Sequence, residues 1–328
     1  MFKALVLNSE PTFSCEETLL PESLLQQERG DTLVEVHYST LNYKDALAIT
    51  NSGKIARRFP MIPGIDFSGI ILETSCPDLA VGDKVFMNGL GLGENHFGGL
   101  AAKAYVAGEN LLKVPEGYTP ESVMAFGTAG YTAALCVNRL LDHGIEPSAG
   151  EILVSGASGG VGMVAIMLLS KLGFEVVALT SKQQEVDFFK ALGASRIEDG
   201  TAFYEVGGML QKSRYQAAVD VLGSVPLSNI CAQLQYGAIV AACGLARGMD
   251  LPATMAPFIL RDITLAGVDS VMAPKAKRLR AWELLSRLIS EADIMRHVEH
   301  IHFDEVISIS EKMMRGEIRG RFVVEIGA

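Results

Sequence analysis

The 328-residue chain has no C-x-x-C pair and no even set of cysteines. Cys15, Cys76, Cys136, Cys231 and Cys243 are five in number and scattered. That excludes a disulfide framework and a cysteine zinc lobe, and it fits free thiols in a reducing, cytoplasmic compartment. Apolar runs are short as well. The longest plain one, Met163–Leu169, falls far below the length of a spanning helix, which is roughly 20 residues. The start, "MFKALVLNSE", lacks the apolar core and small-residue cleavage site of a secretion signal. Positive charge is in deficit: 28 Lys and Arg against 38 Asp and Glu leave a formal charge of -10. That is the wrong sign of field for nucleic acid, so neither nucleic acid nor membrane is an expected partner. Any bound phosphate needs a local patch.

Internal repeats and low-complexity segments are missing too. What is present is a composition 49% apolar and 20% charged. It is that of a globular protein long enough for two domains. Up to residue 120 the chain carries short alternating runs such as "LVEVHY" (33–38) and "GIILE" (69–73), broken by turns such as "VGDKV" (81–85). They predict a strand-rich, barrel-like domain. From Thr119 the texture turns helical. Thr119-Pro120-Glu121 reads as a cap with proline at the first helical position, and the stretch to Gly144 predicts one or two linking helices. After Glu151 strand and helix alternate: "EILVS", a helix over 160–172, "EVVALT", a helix over 181–192, "QAAVDVLG", a short helix and "GAIVAACG". That order predicts a doubly wound parallel sheet, closed by "ITLAGVDSV" (263–271). The end, "IRGRFVVEIGA", reads as a terminal strand. The expected class is α/β, with one β-rich unit over 1–122 and 268–328 and one Rossmann unit over 123–267.

"EILVS" runs into Gly156-Ala-Ser-Gly-Gly-Val-Gly162 and then directly into a helix. Ala157, Gly159 and Gly162 take the three glycine positions of the dinucleotide fingerprint. There a helix N-terminus meets the pyrophosphate and the backbone can approach it closely. The second strand ends at Thr180, about where NAD-binding chains place an acid against the ribose hydroxyls. Here stand Thr180, Ser181 and Lys182, and Glu175 lies at the strand's other end. Hydroxyls and an ammonium suit a 2′-phosphate that a carboxylate would repel, so the expected cofactor is NADPH. The plain alternative is that Lys182 is a solvated residue in a first helical turn.

The chain carries "LNYKDALAIT", "FPMIPGIDFSG", "VGDKV", "GENHFGGLA", "GTAGYTA", "GASGGVG", "LGASR", "AACGLA", "PFILRDITLAGVDSVM" and "RGR", in that order. This set, from "KALVL" to "RGRFVVEI", resembles the medium-chain dehydrogenase/reductase superfamily. It is most similar to the zinc-free quinone-oxidoreductase branch, and within that to the acrylyl-CoA reductase (NADPH) subgroup. The resemblance implies a GroES-like domain, a Rossmann domain, an active site in the cleft between them, and usually a homodimer. It also implies NADPH-dependent reduction of a 2,3-unsaturated acyl-CoA without metal. Zinc alcohol dehydrogenases have a Cys in the stretch matched by "NYKD" and a His-Glu pair in that matched by "GID". This chain offers Asn42, Ile65 and Asp66 there, which do not supply three zinc ligands. Hydride addition to an activated alkene remains.

Tyr43 and Asn42 are the expected catalytic residues, as phenol and amide donors near the nicotinamide or the substrate carbonyl. The alternative for Tyr43 is a wall residue that only packs against the ring, with solvent supplying the proton. Carried over by motif, cofactor contacts are Tyr43, Ser158, Gly159, Gly160, Val161, Thr180, Ser181 and Lys182. Arg196 is expected near the adenosine, Leu245, Ile259 and Ser270 along the nicotinamide, and Arg321 reaching back to the cofactor. The subgroup often has Arg where Lys182 stands, which keeps the charge but not the bidentate grip. Lys54, Arg57 and Arg58 form a basic run that would meet the nucleotide end of coenzyme A, or else a solvated loop.

Other signals point to structure. "HVEHIHF" (His297, His300, His302) reads as a solvated edge and "GLGENHFGG" around His96 as a flexible loop. Asp220 reads as a turn residue, and 274–288 as a core-facing helix with a basic start. Two rivals remain open: a reductase of quinones or free enones, and an NADPH-binding protein with little turnover.

Overall fold

The computed structural model describes residues 1–327. The chain divides into two compact units, Met1–Thr128 with Ser290–Ala328, and Ala129–Ile289.

In the first unit a hairpin, Phe2–Asn8 with Ser14–Leu20, accompanies a seven-stranded sheet. Its order is Val298–His302, Arg321–Glu325, Thr32–Thr40, Asp66–Thr74, Lys84–Asn88 and Leu112–Lys113, with Lys103–Val106 also on Thr32–Thr40. The alternation in "TLVEVHY" explains the central strand, because successive side chains point to opposite faces. Val34 and Val36 enter the core with Phe67, Ile71 and Val85, while Glu35 faces water. The strand Arg321–Glu325 lies antiparallel to Thr32–Thr40, Val323 opposite Thr40, and so completes the sheet.

The second unit is a six-stranded, wholly parallel sheet. Its order is Arg196–Asp199, Val176–Thr180, Ile152–Ser155, Tyr215–Asp220, Leu234–Ala242, Thr264–Gly267. The direction of winding reverses between the third and fourth of these, and ligands of such sheets bind outside the carboxyl ends there. The helix Gly160–Lys171 buries nearly all of its apolar sequence against the sheet. Among the described residues no helix is long and apolar enough to cross a membrane.

Several boundaries differ from expectation. The crossings between units fall after Thr128 and Ile289 rather than at 122 and 268. The helix Lys275–Leu288 packs within the second unit, Arg278 lying 4.9 Å from the Tyr131 ring and Arg280 paired with Asp142 at 2.6 Å. The helical stretch Pro120–Asp142 is two helices, broken at Gly127 with its φ of 50° and ψ of -156°. The helix expected from Ser181 begins instead at Val186. Thr180 Oγ1 accepts the Lys182 N–H at 3.0 Å, and residues 181–185 form a turn.

Candidate active site

The first unit buries two acids and an arginine together. Asp66 is wholly buried, Asp45 nearly so, and Arg321 is 3% exposed. Burying charge is costly unless lone pairs and protons find partners, and here partners are supplied. Asp66 accepts from Asn42 Nδ2 at 2.7 Å, Asn88 Nδ2 at 2.8 Å, Thr128 Oγ1 at 2.6 Å and Thr128 N at 2.9 Å. Asp45 accepts from the Asn42 and Ile65 backbone N–H groups, both at 2.9 Å. Arg321 donates to Ala125 O at 3.0 Å, Thr40 Oγ1 at 2.6 Å and Asn42 Oδ1 at 3.3 Å. Asn42 thus links cation to anion, its oxygen on Arg321 and its nitrogen on Asp66. Gly127 passes through this network, where a Cβ would lie 2.7 Å from Arg321 Nη2 and 2.8 Å from Asp66 Oδ2.

Two site assignments are corrected by this arrangement. Asn42 is no free amide donor, because both ends of its amide are used inside the unit. Arg321 does not reach toward a cofactor, because its guanidinium is sealed among backbone and side-chain acceptors. Both position instead. Asn42 stands immediately before the helix Tyr43–Ile49, and its contacts with Asp45 fix that helix's first turn. Tyr43 is carried on that turn and is 45% exposed. Of the network partners, Asp66 is read from the sequence only as a position that fails to supply zinc ligands, and Asn88 and Thr128 are not read as site residues. The signal for Asp66 is "GID" itself, an acid standing where the zinc ligands are lost.

Those residues do not fit zinc. Asn42, Ile65 and Asp66 give one carboxylate, which already holds four hydrogen bonds. Three protein ligands are needed, so the zinc chemistry of the wider superfamily has no place in this site.

Burial, and then the neighbouring Asp66 charge, push Asp45 up to about 7 against the hydrogen bonds that lower it. A carboxyl raised in the folded state contributes stability that is full below its unfolded value, about 4, and is lost as pH rises through the folded value. The stability of the native protein relative to Asp45→Asn should therefore be greatest near pH 4 and decline by about 4 kcal/mol toward pH 7.5. Denaturant melts of both proteins across that range check it, and a gap independent of pH would refute it.

Of the basic run, Arg58 is withdrawn from any substrate role. It pairs with the buried Glu28, donates to Asn95 O at 3.0 Å and lies 4.8 Å from the Phe97 ring. Lys54 and Arg57 are exposed and line one concavity. The stretch 91–99 is no flexible loop. Gly93 N bonds His96 O, Gly98 N bonds Ile62 O and Gly99 N bonds Gly64 O, with Leu92 in the core. His300 pairs with Glu121 at 2.9 Å.

In the second unit the glycine loop leaves Ser155 at the carboxyl edge, and Met163 N to Gly159 O is the first helical bond back. The first N–H groups of a helix have no helical acceptor, and here they face the end of the sheet. Gly162 makes the close packing possible: a Cβ would come within 2.5 Å of Gly156 O and 2.8 Å of Ala157 Cα. Ser155 Oγ donates to Asp220 Oδ1 at 2.6 Å and Gly223 N to Asp220 Oδ2 at 2.8 Å, so Asp220 ties the two switch-point loops together. This cradle fits a dinucleotide pyrophosphate. Ser158, Gly159, Gly160 and Val161 lie in it, and Thr180, Ser181 and Lys182 lie at the same edge, one strand over.

One acid also ends at that edge. Asp199 sits opposite Thr180 in the ladder, but it accepts from Thr201 N at 2.9 Å and so caps its own turn. Arg196 is a correction. It opens its strand, opposite Val177 rather than Thr180, at the amino side of the sheet. There it pairs with Glu151 at 2.8 Å and Glu198 at 2.6 Å, on the wrong edge for the adenosine. Leu245 lines a groove of about 460 Å³ at the carboxyl ends, with Ser224, Cys243, Gly267 and Asp269. Ser270 directly follows that wall, whereas Ile259 is 70% exposed and outside it.

Comparison with known proteins supports both units. The alcohol dehydrogenase GroES-like domain family matches residues 28–116 and the zinc-binding dehydrogenase family residues 160–287. The chain is similar to the probable acrylyl-CoA reductase AcuI of Escherichia coli, 45% identical across 95% of this chain and 94% of that one. It is 40% identical to the acrylyl-CoA reductase AcuI of Ruegeria pomeroyi over the full length of both. The yhdH oxidoreductase of Salmonella enterica, solved with NADP, superposes with a TM-score of 0.96 at 43% identity, covering 99% of this chain and all of that one. The yhfP protein of Bacillus subtilis, solved with NAD bound, gives 0.93 at 36% identity over 99% of each chain.

Proposed function

This chain belongs to the medium-chain dehydrogenase/reductase superfamily, in its zinc-free acrylyl-CoA reductase subgroup, and we infer its reaction from that membership and from the site. It reduces the 2,3 double bond of short unsaturated acyl-CoA thioesters, acryloyl-CoA to propanoyl-CoA, with NADPH. The observation that carries this reading is an intact dinucleotide cradle in a chain whose superfamily zinc position is filled by an Asn42–Asp66–Arg321 network.

Bound NADPH supplies a hydride, suited to an alkene made electron-poor by a thioester carbonyl. The chain's own residues bind, orient and stabilise charge. N–H groups of the loop from Ser158 to Val161 hold the pyrophosphate at the positive end of a helix. Thr180, Ser181 and Lys182 hold the 2′-phosphate, and Leu245 and Ser270 flank the nicotinamide, whereas Ile259 stands outside that groove. Tyr43 donates its phenol hydrogen to the thioester oxygen as negative charge collects there, and solvent protonates the α-carbon. Asn42 and Arg321 act at one remove, by fixing the turn on which Tyr43 stands.

We read the enzyme as a cytoplasmic homodimer. Its free thiols suit a reducing compartment. The strand Thr264–Gly267 ends its sheet, and Ile259, Leu260 and Met272, which flank it in sequence, are exposed. A second copy would cover that surface.

The test follows NADPH absorbance with acryloyl-CoA, acrolein and a simple quinone. The thioester should be the oxidant of choice, and Tyr43→Phe should lower its kcat about tenfold with little change in KM. Turnover of quinone or acrolein alone would replace this reading with that of an enone reductase, and silence with all three with that of a binding protein.

A further inference from the structure

The first unit holds a second concavity, of about 380 Å³, at the carboxyl end of the helix Tyr43–Ile49. Leu7, Phe13, Ile55 and Phe59 make its apolar wall, and Lys54 and Arg57 are its only charged lining residues among those described. Nothing in the hydride chemistry uses this place. Two acids of neighbouring segments are already paired: Glu94 with Lys44, and Glu28 with Arg58, with His96 at 3.7 Å. Lys54 and Arg57 have no side-chain partner among the described residues, so their charge stands uncompensated in a protein of net charge -10. An aromatic and aliphatic wall beside two cations is complementary to a flat heterocycle that bears phosphates.

We propose that this concavity binds the nucleotide end of the acyl-CoA substrate, with Lys54 and Arg57 on its phosphates and Phe59 against the adenine. The inference rests on the acyl-CoA reading and deepens it, by saying where substrate recognition is housed. Ala48 belongs both to the helix and to the wall of the concavity. From Ala48 back to Tyr43 the helix climbs ~1.5 Å per residue, a span that the pantetheine arm of coenzyme A exceeds. Tyr43 and Ala48 also stand about 140° apart around the helix, so the arm crosses the helix surface, with phosphates at Lys54 and Arg57 and the thioester at Tyr43. Arg57 offers a planar fork for phosphate oxygens and Lys54 a point charge, so the pair suits two phosphate groups better than one.

The experiment compares native enzyme with the surface double variant Lys54→Ala, Arg57→Ala, on acryloyl-CoA and on acryloyl-pantetheine, which lacks the nucleotide. The ratio of kcat/KM for the two thioesters should fall at least about tenfold in the variant. Adenosine 3′,5′-bisphosphate should inhibit the native enzyme in competition with acryloyl-CoA and lose that effect in the variant. KM for NADPH is the control that separates this phosphate site from the cofactor's. An unchanged ratio, or equal loss on both thioesters, overturns the proposal while leaving the acyl-CoA reading intact. A native enzyme that reduces neither thioester but does reduce a quinone overturns that reading, and this proposal with it.

Discussion

Replacing Arg321 with methionine is expected to destabilise the protein by about 3–5 kcal/mol. Methionine keeps the apolar stem but not the guanidinium, so the loss is mainly electrostatic and hydrogen-bonding, with a small void added where the guanidinium lay. Ala125 O, Thr40 Oγ1 and Asn42 Oδ1 would each lose a donor inside the core. Asp66 and Asp45 would lose the cation whose charge they face, itself held down to about 10 by burial. For units of this size the shift amounts to about 10 °C in the melting transition. Differential scanning calorimetry of the full chain reads it directly. A change within about 2 °C would mean that the buried acids need no cation. Because Asn42 loses its anchor too, kcat should fall with Tyr43 still present.

The second large effect concerns the cofactor. Lys182→Glu should cut kcat/KM for NADPH about a hundredfold or more, with NADH spared or improved. A charge-assisted hydrogen bond to phosphate is worth about 1.5–3 kcal/mol, and a carboxylate at that place adds repulsion. The new acid would stand at the end of the second strand, where ribose hydroxyls seek an acceptor. Rates with both cofactors decide it: equal losses for NADPH and NADH would mean a disturbed turn rather than a lost phosphate partner. The comparison matters because the similar Bacillus subtilis protein was solved with NAD bound.

How much of this was legible in the sequence depended on the range of the interactions. The cradle was readable because Ser155 to Gly162 is local, with loop, helix start and flanking strand all within one stretch. The β-rich unit showed itself through the period of two in "LVEVHY", which needs no partner to be seen. Asn42 was misjudged because what occupies its oxygen is Arg321, 279 positions away. Arg196 followed the motif "GASR" to the adenosine, but a motif does not say which edge of the sheet a strand's first residue occupies. The helix expected from Ser181 was shortened by one hydroxyl, Thr180 Oγ1, competing for a backbone N–H. The stretch 91–99 looked mobile by composition, yet its backbone amides are bonded within it and to Ile62 and Gly64.

The buried cation has a consequence for the order in which the protein can be built. Arg321 lies 281 positions from Thr40, to which it donates, and its strand is synthesised after every strand of the parallel-sheet unit. That unit, Ala129–Ile289, is continuous in sequence and has its own sheet whole by then. The other unit does not. Until residues 321–325 arrive, its sheet lacks the strand beside Thr32–Thr40, and Asp66 and Asp45 lack their counter-charge. Domains generally mature as they are synthesised, but this one must wait for closure over a very long loop. A nascent chain stalled just before Arg321 would thus hold one finished unit and one that is missing both a strand and a charge.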